Sequence, residues 1–290
     1  MKDTLQRFLF ENAAVRGEIV HLDATWQAVL ERHDYPAPLR ALLGEMMAAV
    51  ALLAATLKLK GRMIVQLQGS GPVSLLVVEG TSERTLRAIA HYSEQDLQGD
   101  LRTLLGDGRL AITLEPREGG ERYQGIVDLS GDTLADALTD YLMRSEQLDT
   151  SLWLAADAQQ AAGLLIQKLP GEKSGADVDL WNRVQHLSAT IRSEELLAVP
   201  PGEIIRRLYH EEDVRVFEAE PVCFRCSCSR ERVANMLRTL GAVEVHEILA
   251  EQGAIDVACE FCNQKYNFDV VDAEQLFAAG VSPETPRTHH

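Results

Sequence analysis

No cysteine precedes residue 223. The five in the chain are Cys223, Cys226, Cys228, Cys259 and Cys262. A secreted scaffold distributes its cysteines along its length; clustering at one end points to metal or redox chemistry in a reducing compartment. The two groups read Cys223-Phe-Arg-Cys226-Ser-Cys228 and Cys259-Glu-Phe-Cys262. Close pairs on two turns are what a tetrahedral zinc site requires, with each turn supplying two thiolates at about 2.3 Å from the ion. Spacing does not choose the ligands, because Cys223 and Cys226 also form a C-x-x-C pair that could join Cys259 and Cys262. His246 is a further donor, although a lone histidine on an acidic helix is more often solvated; His289 and His290 sit at a frayed end.

The tail that carries these thiols is small. At about 60 residues a hydrophobic core is marginal without help. Structural zinc supplies an apparent 10–16 kcal/mol, roughly as much as the 5–15 kcal/mol by which whole domains are stable. Loss of the ion is therefore expected to unfold the tail. Thiolate is also the oxidisable form of cysteine, so pairwise oxidation to disulfides would eject the metal and remove that folding energy together. Spacing alone fits an inert structural zinc knuckle equally well.

Three regions are expected. Residues 1–170 read as an α+β domain. A first strand is predicted at Gly17–Asp23, and a long apolar helix at Pro36–Lys58 with prolines at its start. Strands follow at Met63–Gln68, Val73–Glu79, Leu86–Tyr92, Leu110–Glu115, Tyr123–Leu129, Leu152–Ala155 and Gly163–Leu169, and a helix at Leu134–Glu146 capped by Thr133. Short connections favour a mainly antiparallel sheet. Residues 171–222 open with the polar stretch GEKSGAD and read as an amphipathic helical linker. Leu180, Trp181, Val184, Leu187 and Ile191 recur there at helical spacing, Ser193 starts another helix, and Ile204, Ile205, Leu208 and Tyr209 mark a third. Those stripes must be buried on something, since helices this short are marginal alone in water. Residues 223–290 form the small zinc-binding domain. Ser229 caps a helix stopped at Gly241, a second helix ends near Gly253, strands Ile255–Ala258 and Lys265–Val270 flank the Cys259–Gln264 turn, and Asp272 with Gln275 marks a last helix start. Residues 281–290 are expected to fray.

Charge and motif content exclude other classes. The net charge is −16, which repels phosphate backbones and anionic membranes. The longest predominantly apolar run, Met46 to Leu57, covers 12 residues, against about 20 for a membrane span. Asp3, Arg7, Glu11 and Arg16 interrupt any signal-like apolar region. A cytoplasmic protein that binds neither nucleic acid nor membrane is the expectation. No P-loop, G-x-S-x-G or H-E-x-x-H motif is present. Gly69-Ser-Gly71 reads as a turn between strands, and Arg144, Ser145 and Glu146 as a helix terminus. A four-thiolate site leaves no open position for catalysis, so an enzyme is not expected. A thiol–disulfide oxidoreductase and a zinc-ribbon binding module are the rivals. For the latter, Arg225, Arg230, Arg232 and Arg238 cluster near the first cysteines, yet residues 223–290 carry six Lys/Arg against ten Asp/Glu, a net of −4.

The chain resembles the 33-kDa heat-shock family of redox-regulated chaperones over nearly its whole length. The carrying stretches are Phe8-Leu-Phe-Glu-Asn12, Val15-Arg-Gly-Glu18, Val65-Gln-Leu-Gln68, Gly71-Pro72, Glu121-Arg-Tyr-Gln-Gly125 and Tyr141-Leu-Met-Arg-Ser-Glu-Gln147. They continue through Glu194-Glu-Leu-Leu197, Arg207-Leu-Tyr-His-Glu-Glu212, Cys226-Ser-Cys-Ser-Arg-Glu-Arg232, Ile248-Leu-Ala-Glu251 and Cys259-Glu-Phe-Cys262. The resemblance implies one zinc ion on Cys226, Cys228, Cys259 and Cys262, with Cys223 an additional thiol. It implies oxidation to Cys226–Cys228 and Cys259–Cys262 disulfides, zinc release, and unfolding of tail and linker. It further implies a monomer when reduced, a homodimer when oxidised, and ATP-independent holding of unfolding client proteins. Leu180, Trp181, Val184, Leu187 and Ile191, with the N-terminal surface beneath them, are the expected client-binding residues.

Overall fold

A computed structural model describes residues 3–56, 60–93, 97–117, 120–170, 177 and 179–278. The first strand lies earlier than the pattern predicts. β1 (Thr4–Phe10) and β2 (Val15–Leu22) form an antiparallel hairpin. β1 buries Leu5 in one core and Phe8 and Phe10 in another, so both faces are apolar and the period-2 signal is blurred. The short helix α1 (Ala24–Leu30) and the long helix α2 (Ala37–Thr56) follow; the predicted end at Lys58 lies outside the described residues. β3 (Gly61–Gln68), β4 (Val73–Thr81) and β5 (Thr85–Tyr92) form a meander. The predicted Gly69–Gly71 turn joins β3 to β4, with Gly69 N–H donating to the Ser74 carbonyl at 3.1 Å.

α3 (Leu101–Leu105) precedes β6 (Arg109–Pro116) and β7 (Tyr123–Asp128). α4 (Leu134–Tyr141) starts with a reciprocal capping box between Thr133 and Asp136. The single helix expected to Glu146 is corrected: beyond Tyr141 the chain widens into one π-turn, Leu142–Glu146, and Gln147 ends it in the left-handed region at φ 55°. Next come β8 (Thr150–Ala156) and β9 (Ala161–Lys168), then α5 (Leu180–Ser188), α6 (Ser193–Ala198) and α7 (Pro201–Tyr209). Three very short strands, β10 (Val214–Val216), β11 (Glu220–Pro221) and β12 (Cys223–Phe224), complete the first of two compact units, which ends at Arg225.

The first sheet runs β10-β1-β2-β9-β8, with β11 also on the outer edge of β1, and every pairing is antiparallel. The second runs β12-β5-β4-β3-β6-β7, antiparallel except for β12 on β5. The mixed, mainly antiparallel α+β class read from the sequence is the class observed. α2 lies between the two sheets and shares one core with both. It is long and apolar enough to cross a membrane by length and composition, but Leu43, Met46, Met47, Val50 and Leu52 are fully enclosed in that core. Glycines let the helix close on each sheet. A Cβ on Gly163 of β9 would stand 2.8 Å from Leu52, and one on Gly80 of β4 2.8 Å from Val50.

The other face of the first sheet carries a second core. Phe8, Phe10, Val15, Ile19, Leu164 and Ile166 pack there with Leu180, Val184, Leu196, Ile204, Ile205, Leu208 and Tyr209. The helices of segment 171–222 therefore lie on this sheet as part of the first unit. At their centre the Tyr209 ring meets Phe8 and Phe10, and its hydroxyl shares a 2.6 Å hydrogen bond with Ser188. Arg183 ties α5 to the segment after α7 through a two-pronged contact with Glu212 at 2.9 and 3.0 Å.

Glu18 on β2 stands opposite Arg7 on β1 and is 2% exposed. Burial pushes its carboxyl up to about 7, against the opposing pull of Arg16, Arg84 and Arg7. An unfolded glutamate ionises near 4.3, so the folded state holds the extra proton between those values and stability falls as pH rises through that window. Glu18→Gln removes this dependence. Its stability relative to the parent will rise between about pH 4.5 and 7 by on the order of 3 kcal/mol. Urea unfolding at pH 5 and pH 7.5 measures it; an equal difference at both values refutes it.

Candidate metal centre

The second unit, Cys226 to His290, is built from strong local signals. Ser229 accepts from Arg232 N–H at 3.2 Å and starts α8 (Arg230–Leu240). Gly241, at φ 101°, separates it from α9 (Ala242–Gln252), which ends on left-handed Gly253. β13 (Ile255–Ala258) and β14 (Lys265–Phe268) pair with Ile255 opposite Phe268 and Ala258 opposite Lys265. α10 (Val270–Ala278) follows. Its capping box is corrected by one turn: Asp269 accepts from Asp272 N–H at 2.8 Å while Asp272 accepts from Asp269 N–H at 3.2 Å, because β14 ends at Phe268 and leaves Asp269 free to cap. The buried core is small: Ala234, Leu237, Val245, Leu249, Ile255, Phe268 and Ala273.

The loop between β13 and β14 wraps its own first cysteine. Cys259 N–H donates to the Gln264 carbonyl at 2.9 Å, and the Cys259 carbonyl accepts from Asn263 N–H at 2.7 Å. Asn263 takes φ 58°, a conformation asparagine tolerates better than most residues. This turn presents Cys259 and Cys262 to Cys226 and Cys228, just ahead of α8. Cys226 Sγ lies 3.6 Å from Cys259 Sγ, Cys228 Sγ lies 3.4 Å from Cys262 Sγ, and all four sulfurs fall within 4.8 Å of one another. Four thiolates about 2.3 Å from one tetrahedral centre stand about 3.8 Å apart, so the donor set fits a single metal ion. Burial, followed by the neighbouring thiols, pushes the Cys262 thiol well above its ordinary range, and burial pushes Cys259 up as well. Four thiolates this close need a cation to offset their charge, and binding one releases protons. Tyr266 on β14 donates its hydroxyl to Cys228 Sγ at 3.1 Å, and that hydrogen bond raises the phenol to about 12.

The other expected donors stand apart from this group, which is the one assembly of metal-capable side chains among the described residues. Cys223 is exposed on β12, where its N–H donates to the Arg84 carbonyl at 3.0 Å. His246 Nδ1 stands 2.6 Å from the Ala242 carbonyl, and its ring lies 6.2 Å from that of Phe277. His289 and His290 lie outside the described residues. The arginines that cluster near the first cysteines are engaged within their own units. Arg230 pairs with Asp272 at 2.7 Å and covers the Phe268 ring, Arg232 donates to Ser227 at 2.8 Å, Arg238 to the Leu276 carbonyl at 3.2 Å, and Arg225 faces Glu83 at 3.9 Å. Of the expected client-binding residues, Leu180 and Val184 are fully enclosed, while Trp181, Leu187 and Ile191 are half-buried against the same core. Phe8, Phe10 and Tyr209 share that core; of these only Tyr209 stands in a helical stripe in the sequence.

A sequence model of the Hsp33 protein family matches residues 3–269. The chain belongs to the Hsp33 family. Relatives called 33 kDa chaperonin include one from Methylobacillus flagellatus, 53% identical over 97% of this chain and 96% of its own. Another, from Nitrosococcus oceani, is 50% identical over 100% of this chain and 99% of its own. The solved structure of a heat shock protein 33 homolog from Thermotoga maritima superposes with a TM-score of 0.82, covering 96% of this chain and 99% of that one at 22% identity, which supports the fold. Membership in the Hsp33 family makes this a chaperone, and the four clustered thiols are compatible with a metal-holding member.

Proposed function

We propose that this chaperone is an ATP-independent holdase of the cytoplasm, switched on by oxidation of one zinc site on Cys226, Cys228, Cys259 and Cys262. When bound, the ion supplies the countercharge and cross-link that hold α8, α9 and the β13–β14 hairpin together around a core too small to stand alone. Oxidation pairs Cys226 with Cys228 and Cys259 with Cys262, which removes the donors. Disorder then spreads back along the chain through the short strands β10 to β12 to the helices over the first sheet. These helices have 9, 6 and 9 residues and are marginal without packing. Their release bares Phe8, Phe10, Ile19, Leu164 and Ile166 together with the helices' own stripe. A contiguous apolar surface of this kind binds other apolar surfaces, and the charge of −16 keeps it soluble. The same surface makes the oxidised protein a homodimer and the reduced one a monomer. Nucleic acids, membranes and catalytic substrates have no part in this reading.

The observation that carries it is the pairing, in one chain, of a four-thiol cluster in a small-core unit with an apolar sheet face covered by three short helices. The test treats zinc-loaded protein with peroxide or hypochlorite. Released zinc and suppression of aggregation of a denatured test protein will rise together and reverse with a thiol reductant and zinc. Release of the ion with no gain in shielding would refute the switch.

A further inference from the structure

We propose that Tyr266 sets the oxidation rate of Cys228, acting as a positioning residue that restrains one thiolate of the site. The inference rests on the reading that these thiolates hold metal and are oxidised. Cys228 and Tyr266 belong to opposite halves of the centre: one precedes α8, the other follows the Cys259–Cys262 turn. β14 fixes the ring. Tyr266 stands opposite Val257 of β13, two residues before the buried Phe268, and is itself half-buried against the small core. From there its hydroxyl reaches Cys228 Sγ at 3.1 Å. A hydroxyl hydrogen bond to a thiolate draws charge from the sulfur, and such contacts tune metal-bound sulfur in general.

The step it restrains is attack on hydrogen peroxide. An electron pair on Cys228 sulfur attacks one peroxide oxygen, the O–O bond breaks, and hydroxide leaves, giving the sulfenic acid. Cys226 sulfur then attacks that sulfur, the S–S bond forms and a second hydroxide leaves. Two protons from solvent complete two waters; the two sulfurs have lost two electrons and the peroxide has gained them. The Tyr266 hydrogen bond favours the charged ground state and weakens as Cys228 sulfur gives up its charge, so it raises the barrier to the first attack.

Tyr266→Phe keeps the ring and deletes only the hydroxyl. In zinc-loaded protein, peroxide-driven zinc release will accelerate about tenfold, equivalent to about 1.4 kcal/mol in barrier. Brief alkylation followed by tandem mass spectrometry will show Cys228 gaining reactivity over Cys259 and Cys262, with the far-ultraviolet circular dichroism unchanged. A general loosening of the unit would speed all the thiols alike and overturn the proposal, as would an unchanged or slower rate. If the parent protein itself kept its zinc under peroxide, the redox reading would fail first; if the parent released it and the variant matched the parent, only the role of Tyr266 would fail.

Discussion

Removing zinc from the reduced protein with a chelator will unfold residues 226–278 and leave the α2 core of the first unit folded. The buried apolar residues of the second unit are Ala234, Leu237, Val245, Leu249, Ile255, Phe268 and Ala273, and two of the seven are alanines. Its side-chain helix caps at Ser229 and Asp269 and its four-residue hairpin strands contribute about 1 kcal/mol each. Against that, a structural zinc site supplies an apparent 10–16 kcal/mol. Without the ion, the sulfurs must take up protons in a half-buried cluster, and the metal cross-link between the β13–β14 turn and the chain ahead of α8 is lost. The core around α2 is enclosed by the first unit's own elements and draws nothing from the metal. Amide hydrogen exchange separates the two: protection will collapse across α8, α9, β13 and β14 and persist in α2, β2, β4 and β9. Cys228→Ser will behave like the chelated parent. Persistent protection of α8 and the hairpin in metal-free, reduced protein would remove the physical basis of the switch.

Why this unit was legible in advance is a matter of range. Ser229, Gly241, Gly253 and the Cys259–Gln264 turn each act within a few residues, and the helices and hairpin fall where those signals place them. The one slip there, the capping box at Asp269 and Asp272, arose from reading Asp269 as strand. The first unit hid more, because its missing elements depend on distant partners. β1 is apolar on both faces because a core lies on each side of its sheet. β10, β11 and β12 have three, two and two residues, and they are strands because the edges of β1 and β5 offer them backbone partners. No local pattern announces a strand of that length. The grouping of Cys226 and Cys228 with Cys259 and Cys262 was implied by the family resemblance, because spacing left the Cys223–Cys226 pair as an alternative. Cys223 itself lies on β12, whose pairing with β5 no spacing encodes.

Val184→Asp will make the reduced, zinc-loaded protein suppress aggregation with no oxidant present. Val184 is fully enclosed on α5, in the core that the linker helices share with Phe8, Phe10, Ile19, Leu164 and Ile166. Burying a carboxylate among those apolar side chains costs several kcal/mol. The cheapest escape is to lift the helices. Alone they have 9, 6 and 9 residues, below the ~12–15 at which isolated helices become marginal, and the Arg183–Glu212 contact that ties them is itself partly solvent-exposed. The opposite face of the first sheet packs on α2 through a separate core, so the scaffold survives the loss. The variant will bind more bis-ANS, keep one zinc per chain and shield a denatured test protein, while Asn182→Asp on the exposed side of the same helix will change none of these. Strong dye binding without shielding would mean that the bared sheet face is not where clients dock. No gain in dye binding would mean that the helices hold on by more than their apolar stripe. Shielding by the variant with its zinc still bound would separate the two halves of the switch, assigning client capture to the sheet and linker and leaving the thiols only the task of releasing them.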